Sequence, residues 1–152
     1  MKNIMLRLFA IITLLVTVAF ASALASVSAQ TPGHNITANV PFEFNVGDKA
    51  LPAGSYAIGR NNSDGTQLRI SNRDTNGSTS RLTQTVQAIE PKEQSVLVFK
   101  RYGDRYFLSQ IWEAGERVGR QMLKSKSERA MEQELAKNEE NAETVTVIAS
   151  LR

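Results

Sequence analysis

Apolar and polar residues alternate strictly along one stretch of this chain. Ile36, Ala38, Val40, Phe42, Phe44 and Val46 are apolar, and Thr37, Asn39, Pro41, Glu43 and Asn45 separate them. A period of two puts one set of side chains on a core and the other in water, so the pattern predicts a strand over residues 36–46. Pro41 has no N–H for a ladder, which predicts an edge position or a bulge there. Gly47-Asp48 and Leu51-Pro52-Ala53-Gly54 read as turns, and Tyr56 and Ile58 then mark a short strand ending at Arg60. Beyond the polar turn 61–65, Leu68 and Ile70 mark a third strand. After a polar loop over 72–80, Leu82, Val86 and Ala88 mark a fourth, closed by Glu90-Pro91.

The next segment has a different pattern. Val96-Leu97-Val98-Phe99 is continuously apolar and Tyr106-Phe107-Leu108 nearly so, with Gly103-Asp104 between them as a two-residue turn, type II′ with Gly first. That turn sets a register: Tyr102 opposite Arg105, Arg101 opposite Tyr106, Phe99 opposite Leu108 and Val96 opposite Ile111. One face then carries Leu97, Phe99, Tyr106, Leu108 and Trp112, the other Val96, Val98, Phe107 and Ile111. Two apolar faces predict a hairpin over 95–112 that is covered on both sides and central to the fold.

Ser125-x-x-Glu128 has the form of a capping box, and no Gly or Pro follows through residue 142. This predicts a helix over about 125–141 with a thin apolar stripe of Met131, Leu135 and Ala142, a candidate cover for the hairpin. Val145, Val147, Ala149 and Leu151 alternate again, a final strand over about 143–151. The expected fold is mostly β: an antiparallel sandwich or open barrel of about seven strands with one α-helix near the C-terminal end.

The amino-terminal pattern is of another kind. Lys2 and Arg7, with no acidic residue, precede an apolar run from Leu8 to Ala25, and small residues follow at Ala23-x-Ala25 and Val27-x-Ala29. That order is a secretory signal peptide over residues 1–29, with cleavage before Gln30 or, from the earlier site, before Ser26. An uncleaved anchor is the rival reading, since 18 residues come close to the ~20 that span a bilayer. The expected location is therefore periplasmic or extracellular, with membrane contact only through the signal segment before cleavage. The remaining 123 residues make one domain, 30–152, large enough for a single core.

Composition narrows the partners. The 18 basic residues less Lys2 and Arg7 leave 16 against 15 acidic ones, a net +1, with no clustered positive charge of the kind nucleic acid requires. There is no Cys, hence no disulfide, no lipid anchor and no thiol chemistry. The sequons at Asn35, Asn61 and Asn76 matter only where a secretory pathway glycosylates.

Val40-Pro41-Phe42-Glu43-Phe44-Asn45-Val46-Gly47 with Leu51-Pro52-Ala53-Gly54-Ser55-Tyr56 resembles a family of small exported bacterial proteins of unknown function. So do Phe99-Lys100-Arg101-Tyr102-Gly103-Asp104-Arg105-Tyr106-Phe107-Leu108, Ile111-Trp112, Gly119-Arg120 and Ser125 with Glu128-Arg129. The likeness spans nearly all of residues 30–152, with Leu123 standing where the pattern has Pro. It implies export and a β-rich fold, and brings no activity or ligand.

Candidate chemistry is thin. His34 is the only His, beside Pro-Gly in a terminus with no element to hold it. With no Cys and that single His, most nucleophilic triads and zinc sites are ruled out. Asn72-x-Asp74-x-Asn76-Gly77 matches the start of a calcium loop, but Thr83 stands where the bidentate Glu belongs. No pair of acids is brought together by spacing for glycoside hydrolysis. Arg101, Tyr102, Arg105 and Tyr106 are the candidate interaction surface, since Arg and aromatics suit contact sites. The plainer reading of the same cluster is a pair of cross-strand stacks bracing the hairpin end, Arg101 on Tyr106 and Arg105 on Tyr102.

The expected role is that of a non-catalytic exported β domain, a binding or structural module whose partner is a protein or another envelope component, with no cofactor expected. The alternatives are a small hydrolase of envelope or extracellular polymers that uses surface carboxylates, and a carrier of a small apolar ligand inside a β barrel.

Overall fold

A computed structural model describes residues 35–138 and 141–151, all within one compact unit. The predicted signal segment 1–29, both predicted cleavage sites and residues 30–34 with His34 lie outside the described residues. Strands make up 56% of what is described, so the fold is mostly β as predicted, with one helix among the described residues. The strands are β1 (Ile36–Val40), β2 (Phe44–Val46), β3 (Lys49–Leu51), β4 (Gly54–Arg60), β5 (Gln67–Asn72), β6 (Ser78–Gln87), β7 (Ser95–Tyr102), β8 (Arg105–Trp112), β9 (Val118–Met122) and β10 (Glu143–Leu151). The helix α1 spans Lys126–Lys137, between β9 and β10.

Eight strands form a closed ring in the order β8, β7, β10, β1, β4, β5, β6, β9 and back to β8, each pair antiparallel. The fold is a closed antiparallel barrel, which corrects both the sandwich and the open barrel of seven strands. The strand that closes the ring is β9. Its sequence, Val-Gly-Arg-Gln-Met, carries too few apolar residues to read as a strand. Gly119 is there because the Trp112 ring on the neighbouring strand lies flat against it: a Cβ would fall 2.6 Å from the ring carbons.

The predicted strand 36–46 breaks after Val40. β1 is not an edge, since it pairs with β10 on one side and β4 on the other, and Pro41 sits just past its end where no ladder donor is needed. The chain then crosses the barrel end to the far wall, where β2 adds parallel to β8 at Phe44–Tyr106 and Asn45–Phe107. The alternation persists across the break because both pieces face one interior. Phe42 stacks on Tyr106 with centroids 4.1 Å apart, and Phe44 meets Tyr56 and Phe99 edge-on. The segment 41–51 thus stoppers that end of the barrel with aromatic and aliphatic side chains.

The interior is filled. Val40, Val46, Phe44, Phe99, Tyr56, Ile70 and Leu97 have essentially no solvent exposure. An eight-stranded barrel is just wide enough for its side chains to do this. The Tyr56 hydroxyl donates to the Pro52 carbonyl at 2.6 Å and accepts from Asn72 Nδ2 at 3.0 Å, so the Leu-Pro-Ala-Gly-Ser-Tyr motif ties the β3–β4 turn to β5.

In the β7–β8 hairpin the expected register holds from the turn as far as Phe99–Leu108. A bulge then changes it, and Val96 faces Trp112 rather than Ile111. The extra residue, Ser109, turns Ile111 into the core and Trp112 to the outer face, reversing the predicted faces of both. The predicted polar loop 72–80 is also shorter, because Ser78, Thr79 and Ser80 pair with β5. The helix ends at Lys137 rather than 141, with Asn138 as its C-cap.

Candidate functional site

The four hairpin residues have four different surroundings. Gly103 has φ +59 and Asp104 does not share a positive φ, as a type II′ turn requires. Tyr102 is buried, and its ring meets Phe107 edge-on at 5.6 Å. Arg105 lies over Phe107, 5.4 Å from the centroid, rather than over Tyr102. Arg101 lies over Tyr106 at 5.6 Å as the register predicts, and also pairs with Glu143 at 3.1 Å. Tyr106 is half-buried against Phe42. Only the two arginines reach solvent as a pair, and each is committed to a ring beside it.

What covers Tyr102 is the start of α1. Ser125 caps the helix, accepting from the Glu128 N–H at 3.1 Å, and Glu128 is the one buried helix residue, at 4% exposure. The Tyr102 hydroxyl donates to Glu128 Oε1 over a long 3.4 Å. Burial pushes the Glu128 carboxyl above the usual carboxylate range, against the opposing charge of Lys124, and burial likewise raises the Tyr102 phenol. Ser127 donates to Asp48 at 2.9 Å and shares a second bond with Ser125, and these hydroxyls hold the exposed Asp48 carboxyl below its ordinary value. Met131 and Leu135, the predicted stripe, are only half-buried, and Ala142 lies beyond the helix. The helix therefore covers the hairpin tip through a carboxylate rather than an apolar face, which no helical period in the sequence could signal.

A second feature is on the outer barrel wall. The register puts Trp112, Val96 and Ile148 side by side across β8, β7 and β10, with Val98 in the next row opposite Gln110 and Thr146. Ile148 is 67% exposed. The segment 88–94 stands over this wall and encloses an open groove of about 970 Å³. Backbone bonds from Ala88 to Arg117, Lys92 to Glu116 and Gly115 to Lys92 pin that segment to the β8–β9 turn, and Lys92 lies 5.2 Å over the Trp112 ring. Ile89, at its crest, is 95% exposed. The bulge at Ser109 creates this row, so counting alternate residues missed it.

The third feature is the barrel mouth opposite the stopper, a cavity of about 110 Å³. Ile36, Ile58, Leu68 and Ile111 form its floor, and Arg60, Arg120, Glu113 and Glu116 stand around it. Glu113 and Glu116 thus line this cavity together, as Glu90 and Glu93 line the outer groove.

The loop with the calcium-like start is held by its own groups. Asn72 Oδ1 accepts from the Asp74 and Thr75 N–H groups, Asp74 Oδ2 accepts from the Ser55 N–H, and Asn76 takes φ +55. Among the described residues no three His, Asp or Glu side chains gather where they could hold a metal ion. Compared with known proteins, the chain matches no family model, no curated protein and no solved structure.

Proposed function

We propose that this chain is an exported, non-catalytic barrel that binds an envelope component through its outer wall, with the row Trp112–Val96–Ile148 as the contact. The observation that carries the reading is that row: apolar side chains adjacent on three strands, with Ile148 exposed beside a groove that the half-buried Val96 and the edge of the buried Trp112 line and whose far wall is pinned by backbone hydrogen bonds. Contiguous exposed apolar surface on a small domain marks an interaction site more often than scattered single residues do. The filled interior supports the same choice over a carrier. At about 110 Å³ the mouth would not enclose a whole ligand of the ~300–1,000 Å³ class, nor admit a polymer chain to Glu113 and Glu116, though a single short side chain fits it. The hairpin arginines and tyrosines act in this reading as a brace, since each contacts its own barrel or helix.

Crosslinking capture from native envelope with the purified protein tests the reading. Ile148→Asp places a charge in the row at an exposed position, so capture should be lost while the melting temperature stays unchanged. Arg105→Ala should leave capture intact. Capture that survives Ile148→Asp and fails with Arg105→Ala would transfer the site to the hairpin tip. Turnover of an envelope polymer that Glu113→Gln or Glu116→Gln abolishes would replace binding by hydrolysis. Export is tested separately: mass spectrometry of the periplasmic or secreted fraction should find a mature terminus at Gln30 or Ser26, and intact Met1 in the membrane fraction would mean an anchor.

A further inference from the structure

Inward positions of a filled barrel are ordinarily apolar, and β9 breaks that rule once. Alternation from the buried Met122 makes Val118 and Arg120 inward, and both line the mouth cavity. An aliphatic side chain at 120 would bury at no electrostatic cost, whereas a guanidinium needs partners there. Those it has are loose. Nη1 lies 3.5 Å from Thr85 Oγ1 and Nη2 lies 3.4 Å from the Asp64 carbonyl, at the long limit for a hydrogen bond. The β4–β5 turn is shaped around this group: Gly65 takes φ +66, and a Cβ there would fall 2.6 Å from Nη2. The second rim arginine, Arg60, has Glu113 as its ion-pair partner, at a loose 3.8 Å. Five N–H donors on each guanidinium exceed these acceptors. Below them the four aliphatic side chains of the floor are almost wholly buried.

We propose that the mouth binds a small aliphatic α-amino acid. Its carboxylate would sit between Arg120 and Arg60, its ammonium beside Glu113 and Glu116, and its hydrocarbon side chain on Ile36, Ile58, Leu68 and Ile111. Two cations and two anions on one rim suit a zwitterion better than a simple anion, which the glutamates repel. Size fits as well: an apolar cavity of ~150 Å³ takes benzene, so the smaller space here takes a side chain of about four carbons. Barrel mouths are a preferred place for such sites. The proposal is independent of the outer-wall row, because Ile148 lies away from the mouth lining.

Amide chemical shifts of the purified protein, titrated with L-leucine, test it. Saturable shifts are expected at Ile36, Ile58 and Ile111. 4-Methylpentanoate, which lacks the ammonium, and isopentylamine, which lacks the carboxylate, should each bind at least about tenfold more weakly, roughly 1.4 kcal/mol. Arg120→Met should keep the folded spectrum and lose the leucine shifts. If Arg120 is only a strut between β9 and the β4–β5 turn, Arg120→Met lowers the melting temperature and leucine binds as before, which overturns the proposal. No saturable shift with the unsubstituted protein, or isopentylamine binding as tightly as leucine, overturns it too. Should Arg120→Met fail to fold, Arg60→Gln, at an exposed position, carries the same test. Ile148→Asp should bind leucine normally, so failure here and failure of the outer-wall reading are told apart.

Discussion

Single residues decide this fold at a few close contacts. Phe99 has no solvent exposure and meets Phe42 and Phe44 edge-on, so Phe99→Ala should cost about 3–5 kcal/mol in denaturant unfolding. The Gly119–Trp112 contact gives a sharper prediction. Trp112 is the only Trp, and Gly119→Ala would drive a methyl into its ring. The expected outcome is a red-shifted tryptophan emission and a loss of roughly 1–3 kcal/mol by overpacking. Unchanged emission would mean the ring does not depend on that glycine. Legibility at this scale was uneven. Phe99 and Leu108 could be placed opposite one another because a two-residue turn fixes register nearby. Trp112 could not be placed, because Ser109 bulges and a one-residue slip reverses every side chain beyond it. The site residues suffered from this: Trp112 and Val96 became neighbours only through the bulge, and no apolar pattern placed Arg120 on a strand.

At the scale of elements, α1 behaves unlike an ordinary surface helix. Ser125 at its N-cap was legible from the capping-box spacing, and Ser125→Ala should lower stability by about 1 kcal/mol, read by chemical denaturation. Its attachment was not legible, because a helix docked through a glutamate presents no apolar stripe. That attachment is pH-dependent with a definite sign. Burial raises the Glu128 pKa above its unfolded value near 4.3. The folded form then holds the proton more tightly, so the contribution is present at low pH and is lost as pH rises through the folded value. Asp48, whose pKa is lowered by Ser127, acts in the opposite direction, losing its contribution as pH falls. Lys124, Glu132 and Tyr102 face Glu128 as well. The difference between the unsubstituted protein and Glu128→Gln isolates the one group. Relative to Glu128→Gln, the glutamate form should be more stable near pH 4 than near pH 7, and a flat difference would place Glu128 in solvent. The strands divided similarly: those with alternating aliphatics were legible, while β9 was not, since its glycine serves a neighbour's ring and its arginine the mouth.

The whole barrel is thinnest at one seam. β8 and β9 share only two residue pairs, Gln110–Gln121 and Ile111–Arg120, whereas β7 and β10 share seven. Amide exchange of β9 should therefore be faster than that of β7, and equal protection would show that the side-chain lock of Trp112 on Gly119 holds the seam as well as a full ladder does. A mostly β chain with a hydrophobic core could be read from alternation and turn residues. Closure could not, because it depends on a strand that is nearly polar and on a proline that lies outside the ladder instead of at an edge.

The pairing of β1 with β10, Ile36 opposite Leu151, also sets an order in time. One wall of the ring joins the first described strand to the last, so the ring is incomplete until residue 151 has been synthesised. At ~5–20 residues per second, a ribosome needs roughly 6–23 s to travel from 36 to 151. Through that interval β1 can pair with β4 but keeps an open edge, and unpaired edges recruit other strands. The nascent chain is thus open to a chaperone or to mispairing for seconds, and it stops being so when its last strand closes the ring.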